Sequence, residues 1–238
     1  MPPLSIRVSG QATITRRPER AVLRVTINAS GDDKDSVSTE GTRLFNEVDA
    51  LFQELSPKTR YGTATTDAPV TEFSSTILHI WAHDDAIHGG KHATRAFYAT
   101  SISHATFRDF AKLGEIAKKL DAYPSIEVES IEWRLTESTE KALEYDARKQ
   151  AMQNAILKAE EYAEVIGRKV VAVEIDDTVQ SQLDHNRYLR PVHMEYYDRE
   201  RELYPGWTLK AGVGGIDPTP RDIRLISSQV SVRFEAVD

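Results

Sequence analysis

ESTEKALEYDARKQAMQNAILKAEEYAEVIG, residues 137–167, is the stretch that decides the fold. Ala147, Ala151, Ala155, Ala159 and Ala163 recur every four residues, with Leu143 one step ahead of them. Met152, Ile156, Tyr162 and Ile166 widen the apolar stripe, and Glu, Lys, Arg and Gln fill the opposite face. This spacing predicts one long amphipathic helix. Alanine carries almost no side chain, so the helix can lie very close to whatever it covers. Thr136 is placed to cap its start, where Glu137 and Glu140 suit the positive end of the dipole. Gly167 suits the left-handed position that closes such a helix, with Arg168 and Lys169 beside the negative end.

The segments around the helix read as sheet. Val170–Ile175 is a strand, and its companion comes much later, where Val230, Val232, Phe234 and Ala236 alternate with Ser231, Arg233 and Glu235. Upstream, Ile126–Leu135 is a strand whose apolar residues change phase: Val128 and Ile131-Trp133-Leu135 share one face only through a bulge. Two short extended pieces lie around Gly10, and Pro18 separates them from the half-buried strand Ala21–Ala29. Asp35 or Ser36 is placed to cap a helix carrying Val37, Leu44, Phe45, Val48, Leu51, Phe52 and Leu55. Residues 57–75 read as a loop with at most one poor edge strand. Strands 76–81 and 93–104 form a hairpin, and a second helix runs from Phe107 through Leu120. The expected class is α+β: antiparallel sheet with helices on one face and a possible internal β-α-β duplication. One domain over residues 1–238 is expected, with sub-parts 4–82 and 94–236 and an irregular insertion at about 178–222.

Composition narrows the function classes. The net charge of −7 lacks the basic footprint of a nucleic-acid binder. There is no cysteine, which excludes disulfides, thiolate zinc sites and a cysteine nucleophile. No stretch approaches the roughly 18 apolar residues of a membrane helix. Met1–Ile6 has neither a basic region nor an apolar run, so a cytosolic protein is expected. Asn28-Ala29-Ser30 matches a glycosylation sequon but falls in a strand, where chance explains it.

Several pieces, taken in order, resemble a known family. Ile6-Arg7-Val8-Ser9-Gly10 followed by Pro18-Glu19-Arg20-Ala21 resembles the opening of the SIMPL domain, also known as DUF541. Arg95-Ala96 is similar to its middle-strand element. Ala142-Leu143, Ala151, Ala155, Lys158-Ala159, Ala163 and Ile166-Gly167 resemble its long helix, and Val230–Phe234 its last strand. The likeness spans residues 4–236, and Ile131–Thr136, with Trp133, looks more like the eukaryotic, fungal-type branch. Members of that family include a kinase-associated signalling adapter in animals and periplasmic immunogenic or stress-related proteins in bacteria, some assembling into rings. The resemblance carries over no catalytic residues. It implies that the motif positions are structural: turn glycine, strand entry and helix packing.

The chemistry-bearing residues form no recognised centre. His79, His83, His88 and His92 fall close together but flank a turn, and they read as exposed hairpin residues rather than metal ligands. His83-Asp84 points to opposite faces of a strand, a poor geometry for a base and its orienting carboxylate. Asp32-Asp33 with Asp35 lacks calcium-loop spacing and reads as helix capping. Gly212-Val213-Gly214-Gly215 has no Lys-Ser/Thr after it and reads as a turn. No catalytic residue, metal site or cofactor is expected. The segment 178–222 is where binding is expected, through Tyr188, His193, Tyr196, Tyr197, Tyr204 and Trp207. It either does so or simply packs over exposed sheet. The function expected is non-catalytic: binding of a protein partner, or self-association, through a sheet edge and this segment. No nucleic acid and no membrane are expected as partners. The alternative is a small-molecule binder or enzyme whose pocket the aromatic segment lids.

Overall fold

The computed structural model describes residues 4–85, 94–178, 182–184, 219–220 and 223–237. Their order is β1 (Ser5–Arg16), β2 (Arg20–Gly31), α1 (Lys34–Leu55), β3 (Val70–Ser75), β4 (His79–Asp85), β5 (Thr94–Phe107), α2 (Phe110–Asp121), β6 (Ile126–Arg134), α3 (Glu137–Val165), β7 (Lys169–Thr178), β8 (Gln182–Asp184) and β9 (Ile223–Val237). The fold is α+β, with two antiparallel sheets. These elements belong to two compact units.

One unit contains β1, α3, β7, β8 and β9. Its sheet runs β1-β9-β7, with β8 also on β9. The alanine ladder of α3 is buried against it: Ala151, Ala155 and Ala159 are fully covered and pack with Val8, Val230, Val232 and Phe234. Met152 and Ile156 join that core, but Tyr162 and Ile166 are exposed, contrary to the stripe read from sequence. Helix geometry explains the difference. At about 100° per residue a four-residue ladder winds slowly round the helix, placing Met152 and Ile156 on one flank and Tyr162 on the other. The sheet supports only the first flank.

Gly10 lies within β1, one continuous strand rather than two pieces, and it is not a turn glycine. A Cβ at Gly10 would stand 1.9 Å from the carbonyl oxygen of Ala151 and 2.8 Å from the Ala155 nitrogen. Strand and helix backbones therefore touch where neither brings a side chain larger than a methyl. At the other end of α3, Gly167 has φ +66°. Its N–H donates to Glu164 O, and Arg168 N–H to Ala163 O. That is the Schellman closure that a glycine in this position predicts.

The start of α3 differs from expectation. Thr136 occupies the cap position but makes no side-chain cap bond. The Glu19 carboxylate does the work instead: Oε2 accepts from Thr136 N–H at 2.8 Å and from Thr136 Oγ1 at 2.6 Å, and Oε1 accepts from Thr139 Oγ1 at 2.9 Å. An anion at this end also suits the helix dipole. Glu19 N–H donates to Arg134 O, pinning the same corner.

The second unit contains β2–β6, α1 and α2. Its sheet runs β3-β5-β2-β6, with β4 also on β5. The order along the chain is β2-α1-β3-β4-β5-α2-β6, and because β3 and β4 follow one another along the same side of β5, this is the split β-α-β arrangement. Leu23, Val25 and Ile27 are fully buried, as are Phe52 of α1 and Leu113 of α2. Each such side chain contributes about 1.5–3 kcal/mol. The helices share one face of the sheet, since Val48 and Leu51 meet Leu120 and Ile126 beside one crevice. Gly41 of α1 sits tightly over Ala99 of β5.

Two local readings change. Asp33, not Asp35 or Ser36, caps α1, its Oδ2 accepting from Ser36 N–H at 2.7 Å. Phe107 ends β5 and is buried there, and Asp109 caps α2. Within 57–75, the one edge strand that the sequence allowed is Val70–Ser75, paired to the last residues of β5. The hairpin partners β4 and β5 pair antiparallel, as the sequence indicates. In β6 the burial alternation shifts at Glu129–Ser130, the phase change that Val128 and Ile131 announce.

Candidate interaction surface

Among the described residues, strand β7 presents a run of exposed apolar side chains. Its sequence, Val170-Val171-Ala172-Val173-Glu174-Ile175, is apolar on both faces, the signature of a strand buried on both sides. It is not buried: Val171 is 46% exposed, Val173 44% and Ile175 59%. The sheet order explains this. β7 lies at an edge, and α3 rests mainly on β1 and β9. Pairing to β9 is interrupted between Ala172 and Glu174, so Val173 is a bulge residue.

The opposite edge of the same sheet is treated differently. Lys158 Nζ donates to the backbone oxygen of Ser9 at 2.8 Å, and Gln11 N–H donates to Asn154 Oδ1 at 3.3 Å. Asn154 and Lys158 are four residues apart on α3 and so lie on one side of it. They occupy backbone groups of β1, an edge strand, and charge on an edge is a recognised guard against strand addition. Among the described residues, no side chain does this for β7.

Charge follows the same strand. On the face away from α3, Arg7, Arg233 and Glu174 align across β1, β9 and β7. Arg233 Nε donates to Glu174 Oε2 at 2.7 Å, Arg7 stands 3.9 Å from it, and Arg233 also holds Glu235. The hydrogen bond from Arg233, reinforced by its charge, holds the Glu174 carboxyl below the usual glutamate range. Beyond Glu174 the strand continues with Asp176 and Asp177, both exposed.

A second polar cluster is paired internally. On the sheet face away from α1 and α2, Glu129 accepts from Thr26 Oγ1, and its other oxygen lies 2.5 Å from Arg24 Nε. That nitrogen is buried without hydrogen-bond geometry, so the contact is an ion pair. Thr26 is 2% exposed, which hides its hydroxyl from any substrate. Thr100 Oγ1 donates to Asn28 Oδ1 at 3.1 Å alongside. The arrangement pairs its charges and hydroxyls with one another and reads as structural. The crevice between α1 and α2 measures about 20 Å3 and is lined by Glu47, Val48, Leu51, Lys119, Leu120, Tyr123 and Ile126. It has room for about one water.

The residues singled out from sequence fare unevenly. Tyr188, His193, Tyr196, Tyr197, Tyr204 and Trp207 lie outside the described residues, as do His88, His92 and Gly212–Gly215. His79 and His83 are exposed on β4. No group of three metal-ligating side chains converges among the described residues. Asp33 is a helix cap. Trp133 is buried and meets Phe110 edge-on, with ring centroids 5.0 Å apart. The exposed edge had one sequence signal, an apolar run without alternation; its pairing with the strand around Val230–Ala236 was read correctly, but that its other side stays open was not readable.

With this geometry in view, a family model described as SIMPL, a protein of unknown function (DUF541), matches residues 6–234. The chain belongs to the SIMPL family. No curated protein matches it. The pieces that carry the SIMPL likeness now have physical roles. Gly10 admits α3, Glu19 caps it, the alanines form its buried ridge, and Val230–Phe234 is the central strand beneath. No helix among the described residues is long and apolar enough to cross a membrane.

Proposed function

We propose that this SIMPL protein is non-catalytic, works in the cytosol and acts by binding a protein through the open edge β7. The observation that supports this is the contrast between the two edges of one sheet. β1 has backbone groups taken by Asn154 and Lys158, whereas β7 presents Val171, Val173 and Ile175 to solvent. An exposed edge with apolar side chains is the surface to which an extended chain adds as a further strand. Placement in the fungal-type branch belongs to the same proposal and rests on the Trp133 segment.

The chain's lack of cysteine allows a direct test. A single cysteine introduced by Val173→Cys, and separately by Ser9→Cys on β1, is labelled with a photo-crosslinker and exposed to cell extract. The reading expects a discrete protein adduct, or a dimer of the chain, from position 173 and little from position 9. Equal yields at both positions, or no adduct at 173, refute it.

A further inference from the structure

Resting on that reading, we propose that the strand received by β7 is basic: a short extended segment placing two consecutive Lys or Arg residues against Asp176 and Asp177, followed by a β-branched residue against Ile175. Three observations lead there. First, the bulge at Val173 divides β7 into two regular stretches, of which Glu174–Thr178 is the longer. Second, that half is acidic on both faces. In register, Asp176 stands across from Ser231 and Asp177 across from Val230, and Val230 and Val232 face α3. The two carboxylates therefore project to opposite sides of the sheet. Glu174 is already engaged by Arg233, which leaves Asp176 and Asp177 as the charges an incoming strand meets. Third, a second copy of the chain fits poorly. Its own β7 would bring like charges together, and its β1 has Ser9 O and Gln11 N–H occupied. A foreign segment with basic residues satisfies the backbone edge, the exposed Ile175 and both carboxylates at once.

The test measures fluorescence anisotropy of labelled hexapeptides against the full chain. The peptides are acetyl-Lys-Lys-Val-Thr-Val-Thr-amide and its Glu-Glu and Ser-Ser counterparts. Two cross-strand charge pairs together favour the Lys-Lys peptide over the Ser-Ser one by about tenfold. Asp176→Lys with Asp177→Lys should reverse the order, so that the Glu-Glu peptide binds best. Glu54→Lys with Asp121→Lys changes the net charge equally on exposed positions of the other unit and should leave the order intact. Circular dichroism confirms that both variants fold. If all three peptides bind alike, the basic partner is wrong while edge recognition stands. If none binds, edge recognition fails with it. If the two double variants behave alike, only the overall field of the protein was measured, and the proposal falls.

Discussion

Replacing Gly10 with alanine tests the α3 seam most sharply. The new Cβ would lie 1.9 Å from Ala151 O, 2.8 Å from Ala155 N and 2.9 Å from Ala151 C. Ordinary contact begins near 3.4 Å. The helix must therefore recede by about 1.5 Å, and a gap of even 0.5–1 Å forfeits a quarter to a half of each dispersion contact. The ladder from Ala147 to Ala163 loses contact along its length, because a rigid helix moves as one body. Overpacking against side chains costs roughly 1–3 kcal/mol. Here the obstacle is backbone and cannot rotate away, so about 3 kcal/mol or more is expected. Urea denaturation followed by circular dichroism measures it. With a slope of about 1–3 kcal/mol per molar, the midpoint should fall by at least about 1 M. Ala151→Gly in the same chain should not restore stability, since the colliding atom is a carbonyl oxygen that glycine retains. A loss below about 0.5 kcal/mol, or rescue by Ala151→Gly, would refute the reasoning.

Two further outcomes follow from the same unit. Glu19→Ala removes three hydrogen bonds at the start of α3 and should cost about 2 kcal/mol, read as a lowered thermal midpoint, with Glu19→Gln intermediate. The pH dependence should carry the signature of Glu174. Its carboxyl is held below the ordinary value of 4.5 by Arg233, so the folded chain binds fewer protons than the unfolded one in that range. The stabilisation is complete above about pH 4.5 and is lost as pH falls through the lowered pKa. Glu174→Gln should therefore lose less stability than the parent between about pH 5 and 3; an unchanged acid limb in denaturant titrations contradicts the assignment.

What could be read from the residues followed a physical rule. Helix α3 was legible because its buried positions repeat at the helical period and its closing Gly167 has a local cause. The flank positions Tyr162 and Ile166 were not, because periodicity shows that a face is apolar and not where the covering sheet stops. Asp33 won the cap of α1 over Asp35 and Ser36 through a backbone geometry that neighbouring capping residues share equally. β3 hid among threonines because it is short and lies at an edge, where polar residues are tolerated. The role of Glu19 could not be foreseen, since its partners Thr136 and Thr139 are distant in the chain. The same holds for β7: its residues announced a strand, but its exposure depends on where α3 rests and on β7 lying at the edge beside β9, which are tertiary facts.

The pairing of Ser5 with Glu235 and of Val8 with Val232 has a consequence for biosynthesis. β1 is made well before the strand it needs, which lies more than two hundred residues later in the chain. At about 5–20 residues per second, the nascent β1 waits on the order of tens of seconds without a neighbour. The β2–β6 unit has all its strands in hand well before then. Maturation should thus be staggered, with the alanine-ridge half sealing only once β9 has emerged, and any helper that shields a nascent unpaired strand would find its customer here.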